Sequence, residues 1–319
     1  MTGRGKGGDK KRQSVGNKLA FKVKTKHKPN NGATPCHNPR QKTNGRISTK
    51  GGQGWREVVI ITWNVGGMIG KLQWEVLVMW MKAERPDVVL IQETWALRMK
   101  DVDGYDRAEA PAIPPEMVEG RRPTGHAMRG LVTYFRNDDP DVCWKQEGEI
   151  EEGAWEIAVV GRYENEKGDE EYIRVVNGYG PQAADTEQVK GQLTRYEKMF
   201  MTPLGRRRED GKYAAVINVL GADQNVADVD FGSRHDNDTK EPLNALLRKL
   251  DMTRLQCRDE NGDRTTNYHT TKTAKGVPDV IAISRSSAHR GRTSIEHVPK
   301  LPSGASHERI KLSLSIQVE

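Results

Sequence analysis

The sequence predicts an α/β fold in which two mixed β-sheets pack face to face and helices flank them, a four-layer sandwich. Three observations indicate this class. The chain contains many short, continuous apolar runs, which are typical of strands buried on both faces. Only a few segments carry apolar residues at helical spacing. Some predicted strands follow one another directly and others are separated by a helix, a mixture that favours packed sheets with the helices outside.

The folded region begins with a strand, a helix and a second strand. The segment EVVIITWNV (57–65) is an apolar run bounded by glycine, and its β-branched residues favour a strand. The segment QWEVLVMWMKAE (73–84) has apolar residues at helical spacing, so we predict a helix there. The segment RPDVVLIQET (85–94) is again an apolar run, introduced by proline, and predicts a second buried strand.

The rest of the chain continues in the same manner. Two further helices are predicted, at Gln188 to Met201 and at Glu241 to Leu250. The segment from Ala108 to Gly130 contains four prolines and is predicted to be a loop. No break in composition after Trp55 marks a second domain. Six further strands are predicted: GLVTYFR (130–136), AWEIAVVGRY (154–163), EYIRVVNGYGP (171–181), YAAVINVLGAD (213–223), PDVIAIS (278–284) and IKLSLSIQV (310–318).

The first 55 residues differ from the rest. They carry fourteen Lys or Arg and one acid, Asp9, so their formal charge is +13 while residues 56–319 carry −6. Their apolar residues show no periodicity, so ordering them would cost more entropy than burial returns. We therefore expect a disordered basic tail over 1–55 and one folded domain over 56–319. Such a tail favours nucleic acid as its partner, with a solvated tail or a nuclear localisation signal as the alternatives.

Other features of the whole chain argue against a membrane or secreted protein. The three cysteines, Cys36, Cys143 and Cys257, are odd in number and far apart, which argues against a disulfide framework and favours a reducing compartment. No apolar run approaches the roughly 18 residues of a membrane span, and the N-terminus is charged where a signal peptide is apolar. We expect a soluble protein that does not act at a membrane.

Polar groups suited to metal, phosphate or proton chemistry lie at the ends of several predicted strands. Such positions on a rigid sheet are where binding and catalytic groups are usually placed. Taken singly, each has an ordinary explanation: an asparagine before two glycines forms a turn, a glutamate pairs at the surface, an Asp-x-Asn sequence forms an Asx turn, and a tyrosine or histidine is structural. The ordered set is what indicates a site. Its members are Asn64, Glu93, Tyr179, Asp223, Asn225, Asp279 and His307.

The order of the motifs TWNVGG, PDVVLIQETW, GLVTYFR, VVNGYGP, GADQN, VPDVIAIS and SHERI closely resembles the endonuclease/exonuclease/phosphatase superfamily, the DNase I-like fold. The resemblance covers the chain from Val58 to its end. Within the superfamily, QETW and NGYGP are most similar to the endonuclease domain of non-LTR retrotransposons. Because such elements continue into a reverse transcriptase, the resemblance implies that this chain is part of, or derived from, a longer element-encoded polyprotein.

The resemblance implies a divalent metal site with oxygen ligands, which suits Mg²⁺ or Mn²⁺. Glu93 would be the principal metal carboxylate. Asn64 is uncharged, so it would support the metal's water shell and orient Asp223 without adding repulsion. The two glycines after it, Gly66 and Gly67, would let a phosphate backbone come close.

The resemblance also assigns roles on the substrate side. Asp223 would orient or deprotonate the attacking water, while Asn225 and Tyr179 would hydrogen-bond the scissile phosphate. Thr266 or Asn267, in RTTNYH, would line the DNA surface.

A carboxylate and a histidine complete the implied site. Asp279 would fix the imidazole of His307, and the charged imidazolium would stabilise the phosphate's developing charge. A neighbouring carboxylate favours this charged form because it raises the pKa of a histidine.

Two departures from the family pattern affect activity rather than fold. Before the last strand, Ser306 occupies the place of an aspartate beside the histidine, and the side chain of Glu308 is expected to point to the other side of an extended segment. In GADQN, Gln224 stands where an apolar residue is usual.

The expected function is therefore a Mg²⁺-dependent DNA endonuclease of retrotransposon type, acting in the nucleus, that nicks a target and leaves a 3′ hydroxyl for priming reverse transcription. Three alternatives stay open. An apurinic endonuclease of DNA repair would use the same scaffold and metal. A relative acting on inositol lipids or small phosphoesters would also share the fold. A weakly active or inactive nucleic-acid-binding module would owe its affinity to the basic tail and to charge, so its binding would fall steeply with salt.

Overall fold

The computed structural model describes residues 54–67, 71–114, 128–151, 153–181, 186–226, 238–255, 279–285, 293–298, 307 and 309–318, which contain three helices and twelve strands. In chain order the elements are β1 (Trp55–Asn64), α1 (Lys71–Glu84), β2 (Val88–Gln92), β3 (Tyr105–Ala110), β4 (Leu131–Arg136), β5 (Cys143–Gln146), β6 (Glu156–Glu164), β7 (Glu170–Tyr179), α2 (Thr186–Met201), β8 (Val216–Asp223), α3 (Lys240–Lys249), β9 (Met252–Arg254), β10 (Asp279–Ser284), β11 (Thr293–Val298) and β12 (Arg309–Gln317).

The described strands form two six-stranded sheets. The first has the order β11-β12-β1-β2-β4-β3 and the second the order β5-β6-β7-β8-β10-β9. Each sheet contains one parallel pair, β1 with β2 and β7 with β8, and antiparallel pairs elsewhere. In both parallel pairs a helix lies between the two strands in sequence, because a parallel connection has to return across the sheet.

The alternation of side chains along β1 explains why its sequence is a continuous apolar run. Val58 and Ile60 pack into the core between the two sheets, together with Ile173 and Val175 of β7. Ile61 faces the opposite way and packs in a second core with residues of α1. Because successive residues of a strand point to opposite faces, a strand covered on both sides has to be apolar at every position.

The helices form the two outer layers. Trp74, Leu77 and Met81 of α1 recur at helical spacing and bury one face of the helix against the first sheet. The helices α2 and α3 cover the second sheet, where Tyr196 and Leu243 belong to a third core with residues of β7, β8 and β10. The order helix, sheet, sheet, helix confirms the predicted four-layer sandwich of two mixed sheets.

The structure differs from the prediction at the short strands. The strands β3, β5, β9 and β11 were not predicted, because they are short or lack a continuous apolar run; β3, for example, buries Tyr105, Ala108 and Ala110 and exposes or half-exposes the residues between them. Residues 108–110 therefore belong to a strand, and the predicted loop begins after them. The strand β1 begins at Trp55, one residue before the expected start of the domain. The predicted tail otherwise lies outside the described residues.

Two further expectations concern the whole chain. Cys143 on β5 is disulfide-bonded. The expectation that the cysteines form no disulfide is therefore wrong for this residue. Within the described ranges, α1, α2 and α3 are all too short or too polar to cross a bilayer.

Candidate active site

The ends of two parallel strand pairs meet at one edge of the sandwich. In the first sheet Asn64 ends β1 beside Gln92, which ends β2; in the second sheet Tyr179 ends β7 beside Asp223, which ends β8. The side-chain amide of Asn64 donates a hydrogen bond of 2.6 Å from Nδ2 to Oδ2 of Asp223. This bond joins the two sheets at their carboxyl-terminal edges, where α/β folds commonly bind their ligands.

Asp223 is a buried carboxylate, 1% exposed, that is held from two sides. Besides the bond from Asn64, its Oδ1 accepts a hydrogen bond of 2.9 Å from the backbone N–H of Asn225. Burial raises the pKa of Asp223 and the nearby charge of Asp279 raises it further, while the charge of His307 and the two hydrogen bonds oppose the shift. A carboxylate with a raised pKa is a stronger base than an exposed one, and this one has a fixed orientation.

Asp279 and His307 form a buried pair next to this carboxylate. Asp279 begins β10 and is the antiparallel partner of Asp223, and its Oδ2 lies 3.0 Å from Nδ1 of His307. Burial lowers the pKa of the imidazole, but the charge and the hydrogen bond of Asp279, with the charges of Asp223 and Glu93, outweigh it and raise the pKa to about 9. At neutral pH His307 is therefore an imidazolium.

Tyr179 and Glu93 stand on opposite sheets and meet at this edge. The hydroxyl of Tyr179 is hydrogen-bonded to the side chains of Glu93 and Asn225. Burial raises the pKa of Tyr179, and the charges of Glu93 and Asp223 raise it further, so the phenol keeps its proton and stays a hydrogen-bond donor. The side chain of Glu93 is half-buried, and the backbone carbonyl of Glu93 accepts a hydrogen bond of 2.7 Å from the backbone N–H of Gly67.

The side chains at this edge include oxygen ligands of the kind that a hard divalent cation binds. One carboxylate oxygen each from Asp223 and Asp279 and one ring nitrogen of His307 lie within 4.8 Å of one another. His307 is held through Nδ1 by Asp279, and its raised pKa favours a function as the charged partner of these carboxylates. Glu93, which is more exposed than the two aspartates, offers a carboxylate of the kind that Mg²⁺ and Mn²⁺ use together with water.

The amide of Asn64 is already used at both ends. Its Nδ2 donates to Asp223, and its Oδ1 accepts a hydrogen bond of 2.9 Å from the N–H of Gly66. The geometry therefore accounts directly for a function in orienting Asp223. Any contact of Asn64 with a metal would use the second lone pair of its carbonyl oxygen.

Gly67, the second glycine after Asn64, has a structural reason that differs from the expected one. Gly67 has a φ of 101°, and a Cβ at this position would lie 2.4 Å from the indole of Trp95. The space over Gly67 is thus taken by Trp95 and is not open to a phosphate backbone. The glycine allows the QETW segment to pack on the end of β1.

Unusual backbone conformations collect near this edge. Of the six described non-glycine residues with positive φ, Arg85 directly follows α1 and Asp251 lies two residues after α3, and such conformations are common just beyond helix ends. The other four are Glu93, Trp95, Arg129 and Asn225, with φ between 50° and 65°. Each such residue costs about 1–3 kcal/mol and persists only where its surroundings fix it, and such residues cluster at functional sites.

Gln224, which stands where the family pattern has an apolar residue, lies behind the site. Its side chain is buried, and Nε2 donates a hydrogen bond of 2.8 Å to the hydroxyl of Tyr196 on α2. Burial raises the pKa of this hydroxyl well above its ordinary value, so it stays protonated. The polar residue in GADQN is therefore satisfied, and it ties the turn after Asp223 to a helix of the outer layer.

The structure brings together Asn64, Glu93, Tyr179, Asp223, Asn225, Asp279 and His307. Thr266, Asn267, Ser306 and Glu308 lie outside the described residues. Trp155, which stacks on Tyr179, and Arg129, which lies over Trp155, were not singled out from the sequence. Trp155 directly precedes β6, and one residue separates Arg129 from β4. Only a search of strand beginnings as well as strand ends could have found them.

Solved structures resemble this chain in fold. The AP endonuclease LMAP from Leishmania major matches with a TM-score of 0.60 and 16% identity over 83% of this chain and 89% of that one. The endonuclease domain of TRAS1, a telomere-specific non-LTR retrotransposon, matches with a TM-score of 0.55 and 16% identity over 81% and 98%. The catalytic domain of Xenopus laevis APE2 matches with a TM-score of 0.54 and 14% identity over 82% and 93%. No protein-family model and no curated protein matches the sequence.

Proposed function

Since this chain has the DNase I-like fold of the endonuclease/exonuclease/phosphatase superfamily, we propose that it is a divalent-metal-dependent phosphodiesterase acting on DNA. We propose further that it is a nicking endonuclease of non-LTR retrotransposon type, which leaves a 3′ hydroxyl for priming. The observation that carries the proposal is the bond from Asn64 to Asp223, because it holds this buried carboxylate in one orientation at the junction of the sheets, beside the Asp279–His307 pair.

Asp223 is the group that would act on the attacking water. A general base works best when its pKa approaches the working pH, and burial shifts this carboxylate in that direction. The donors from Asn64 and Asn225 fix both carboxylate oxygens, so little rotational freedom is lost when the reaction begins.

Three donors would stabilise the charge that develops on the phosphate. His307 carries a proton at neutral pH, and its ring is fixed through Nδ1 by Asp279. The hydroxyl of Tyr179 keeps its proton, and the amide of Asn225 lies beside it. Fixed donors aimed at developing charge in a site with little water are among the strongest contributions to catalysis.

Glu93, supported by Asn64, would hold Mg²⁺ or Mn²⁺. Bound there, the ion would supply charge neutralisation at the phosphate and lower the pKa of a coordinated water. The half-buried carboxylate of Glu93 reaches the hydroxyl of Tyr179, so the metal-binding and phosphate-binding groups are adjacent.

Two observations support the retrotransposon type. QETW and NGYGP resemble that group, and the TRAS1 domain is matched over 98% of its length. The basic segment 1–55 would add affinity for nucleic acid, the chain would act in the nucleus, and it would derive from a longer polyprotein. The second candidate is an apurinic endonuclease, which the match to LMAP at a TM-score of 0.60 favours.

Plasmid nicking tests the proposal. Purified protein is incubated with supercoiled plasmid and Mg²⁺, with an Asp223→Ala variant and EDTA as controls. We expect nicked circles from the wild-type protein alone, and a DNA polymerase should extend them because the nick carries a 3′ hydroxyl. A duplex with one abasic site separates the candidates, since an apurinic endonuclease would cut it and spare the intact duplex. Absence of both activities would leave a binding module.

A further inference from the structure

A row of three side chains leads away from the candidate site. The ring of Trp155 stacks on that of Tyr179, with the centroids 6.0 Å apart and the planes 9° apart. The guanidinium carbon of Arg129 lies 3.6 Å from the centroid of the Trp155 ring. Because the hydroxyl of Tyr179 is bonded to Glu93 and Asn225, the row ends among the groups assigned to the metal and the phosphate.

The backbone fixes the position of Arg129. Its φ is 65°, and its carbonyl accepts a hydrogen bond of 2.9 Å from the N–H of Trp95. The carbonyl of the next residue, Gly130, accepts one of 3.1 Å from the N–H of Thr94. These two segments lie so close together that a Cβ at Gly130 would be 2.3 Å from the hydroxyl oxygen of Thr94. The segment that carries Arg129 is therefore tied to the residues that directly follow Glu93.

Stacking prepares an arginine to bind phosphate. A guanidinium has its N–H groups in one plane, and their edge matches two oxygens of a phosphate. The cation is also attracted to the ring face, so its orientation is fixed before a ligand arrives. Both Arg129 and Trp155 are half-buried, which leaves part of each side chain at the surface.

We propose that Arg129, held on Trp155, binds a backbone phosphate of the DNA strand next to the scissile phosphate and so positions that strand. The inference rests on the proposed function, since Tyr179 at the other end of the row would bind the scissile phosphate itself. The recognised group is a phosphodiester and carries no base information, so Arg129 contributes affinity and register to every DNA sequence alike.

The full-length protein and a short DNA duplex test this contact. Binding is measured by fluorescence anisotropy in EDTA over a series of salt concentrations, and nicking is measured separately in Mg²⁺. The variants are Arg129→Ala, Arg129→Lys, Trp155→Phe, Trp155→Ala and the double variant Arg129→Ala with Trp155→Ala. The matched control is Arg85→Ala. Arg85 is an exposed arginine that forms an ion pair with Asp138. It precedes β2 in the sequence and therefore lies at the opposite end of that strand from Glu93.

We expect Arg129→Ala to weaken binding on the order of tenfold and to reduce the salt slope by about 0.9, the value for one phosphate contact. Its KM should rise while kcat changes little. Arg129→Lys should keep the slope and lose part of the affinity, Trp155→Phe should keep both, and the double variant should bind no more weakly than Arg129→Ala. Arg85→Ala should behave as the wild type.

An unchanged salt slope in Arg129→Ala would overturn the inference, as would additive losses in the double variant. Thermal unfolding of each variant distinguishes a lost DNA contact from a lost fold. If Arg129→Ala does not fold, the DNA affinity and salt slope of Arg129→Lys are compared with those of Trp155→Ala, and this comparison decides the inference. A wild-type protein that never nicks DNA would sink the proposed function alone, and a reduced slope in Arg129→Ala would still support the contact. Nicking by the wild type with an unchanged slope would sink the contact alone.

Discussion

Gln224 donates a hydrogen bond to the hydroxyl of Tyr196, and both groups are buried between the second sheet and α2. We predict that Tyr196→Phe lowers the free energy of unfolding by about 1–3 kcal/mol, because it leaves a buried amide without its partner. Urea denaturation measures this. The double variant Tyr196→Phe with Gln224→Leu should recover most of the loss, since removing both partners leaves no unpaired group. A double variant as unstable as the single one would contradict the explanation.

Asn64 is predicted to matter through the proton that it donates. In Asn64→Asp, a carboxylate would face Asp223 across the present 2.6 Å contact, and the two charges would repel. We expect the nicking rate to fall on the order of 10²-fold or more, the loss typical of one fixed donor. Asn64→Ser, a shorter and uncharged side chain, should lose less than Asn64→Asp; equal losses would mean that charge repulsion is not the cause.

The pair of Asp279 and His307 predicts a dependence of stability on pH. The pKa of His307 is raised to about 9 in the folded protein from 6.5, so the folded state binds this proton more tightly than the unfolded state. The resulting stabilisation is fully present below about pH 6.5 and is lost as the pH rises through about 9. Urea denaturation across this window should show a decline in the wild type and a smaller one in His307→Gln. Parallel declines would rule out this histidine as the source.

The charge of His307 also predicts the alkaline side of the activity profile. If the imidazolium stabilises the phosphate, kcat/KM should fall as the pH rises through about 9. In Asp279→Asn the carboxylate that raises this pKa is gone, so the fall should begin at a lower pH. Rates of plasmid nicking over a pH series would measure the shift, and an unmoved profile would count against the assignment.

Gly67 is predicted to be intolerant of any side chain. Gly67→Ala would place a Cβ against Trp95 at a φ of 101°, so strain and overlap add. Gly168→Ala is the matched control: its φ is 73°, and a Cβ there would meet nothing within 4 Å. We expect Gly67→Ala to cost more stability than Gly168→Ala by about 1–3 kcal/mol in urea denaturation. Equal costs would show that Trp95 moves aside freely.

Sequence reasoning worked best where one property decides the structure. The continuous apolar runs of β1, β2, β7 and β8 predicted buried strands because both faces of these strands are covered. The polar residues that follow them were found for the same reason: Asn64, Glu93 and Asp223 interrupt an apolar pattern. The edge strands β3 and β5 were missed because one face or one edge of each is open, which permits a polar composition.

Contacts between distant parts of the chain could not be read from local patterns. Arg129 has an uncommon φ and lies over the ring of Trp155, and a basic residue before a strand signals neither feature in the sequence. Tyr196 has the spacing of a core residue on α2, and nothing in its neighbourhood of the sequence shows that its hydroxyl accepts from Gln224. The roles of the site residues and the domain boundaries stay predictions.

The position of β12 determines when the candidate site can be complete. This strand lies between β11 and β1 in the first sheet, and the indole of Trp63 on β1 donates a hydrogen bond to the carbonyl of His307, 244 residues later. A ribosome that has made Asp223 has not yet made the strand that pairs with β1 or the histidine that faces Asp223. Contacts so far apart in sequence close slowly, and the candidate site is assembled only after β12 and His307 have been made. Products that terminate before β12 would carry Asp223 without His307 and the strand that pairs with β1.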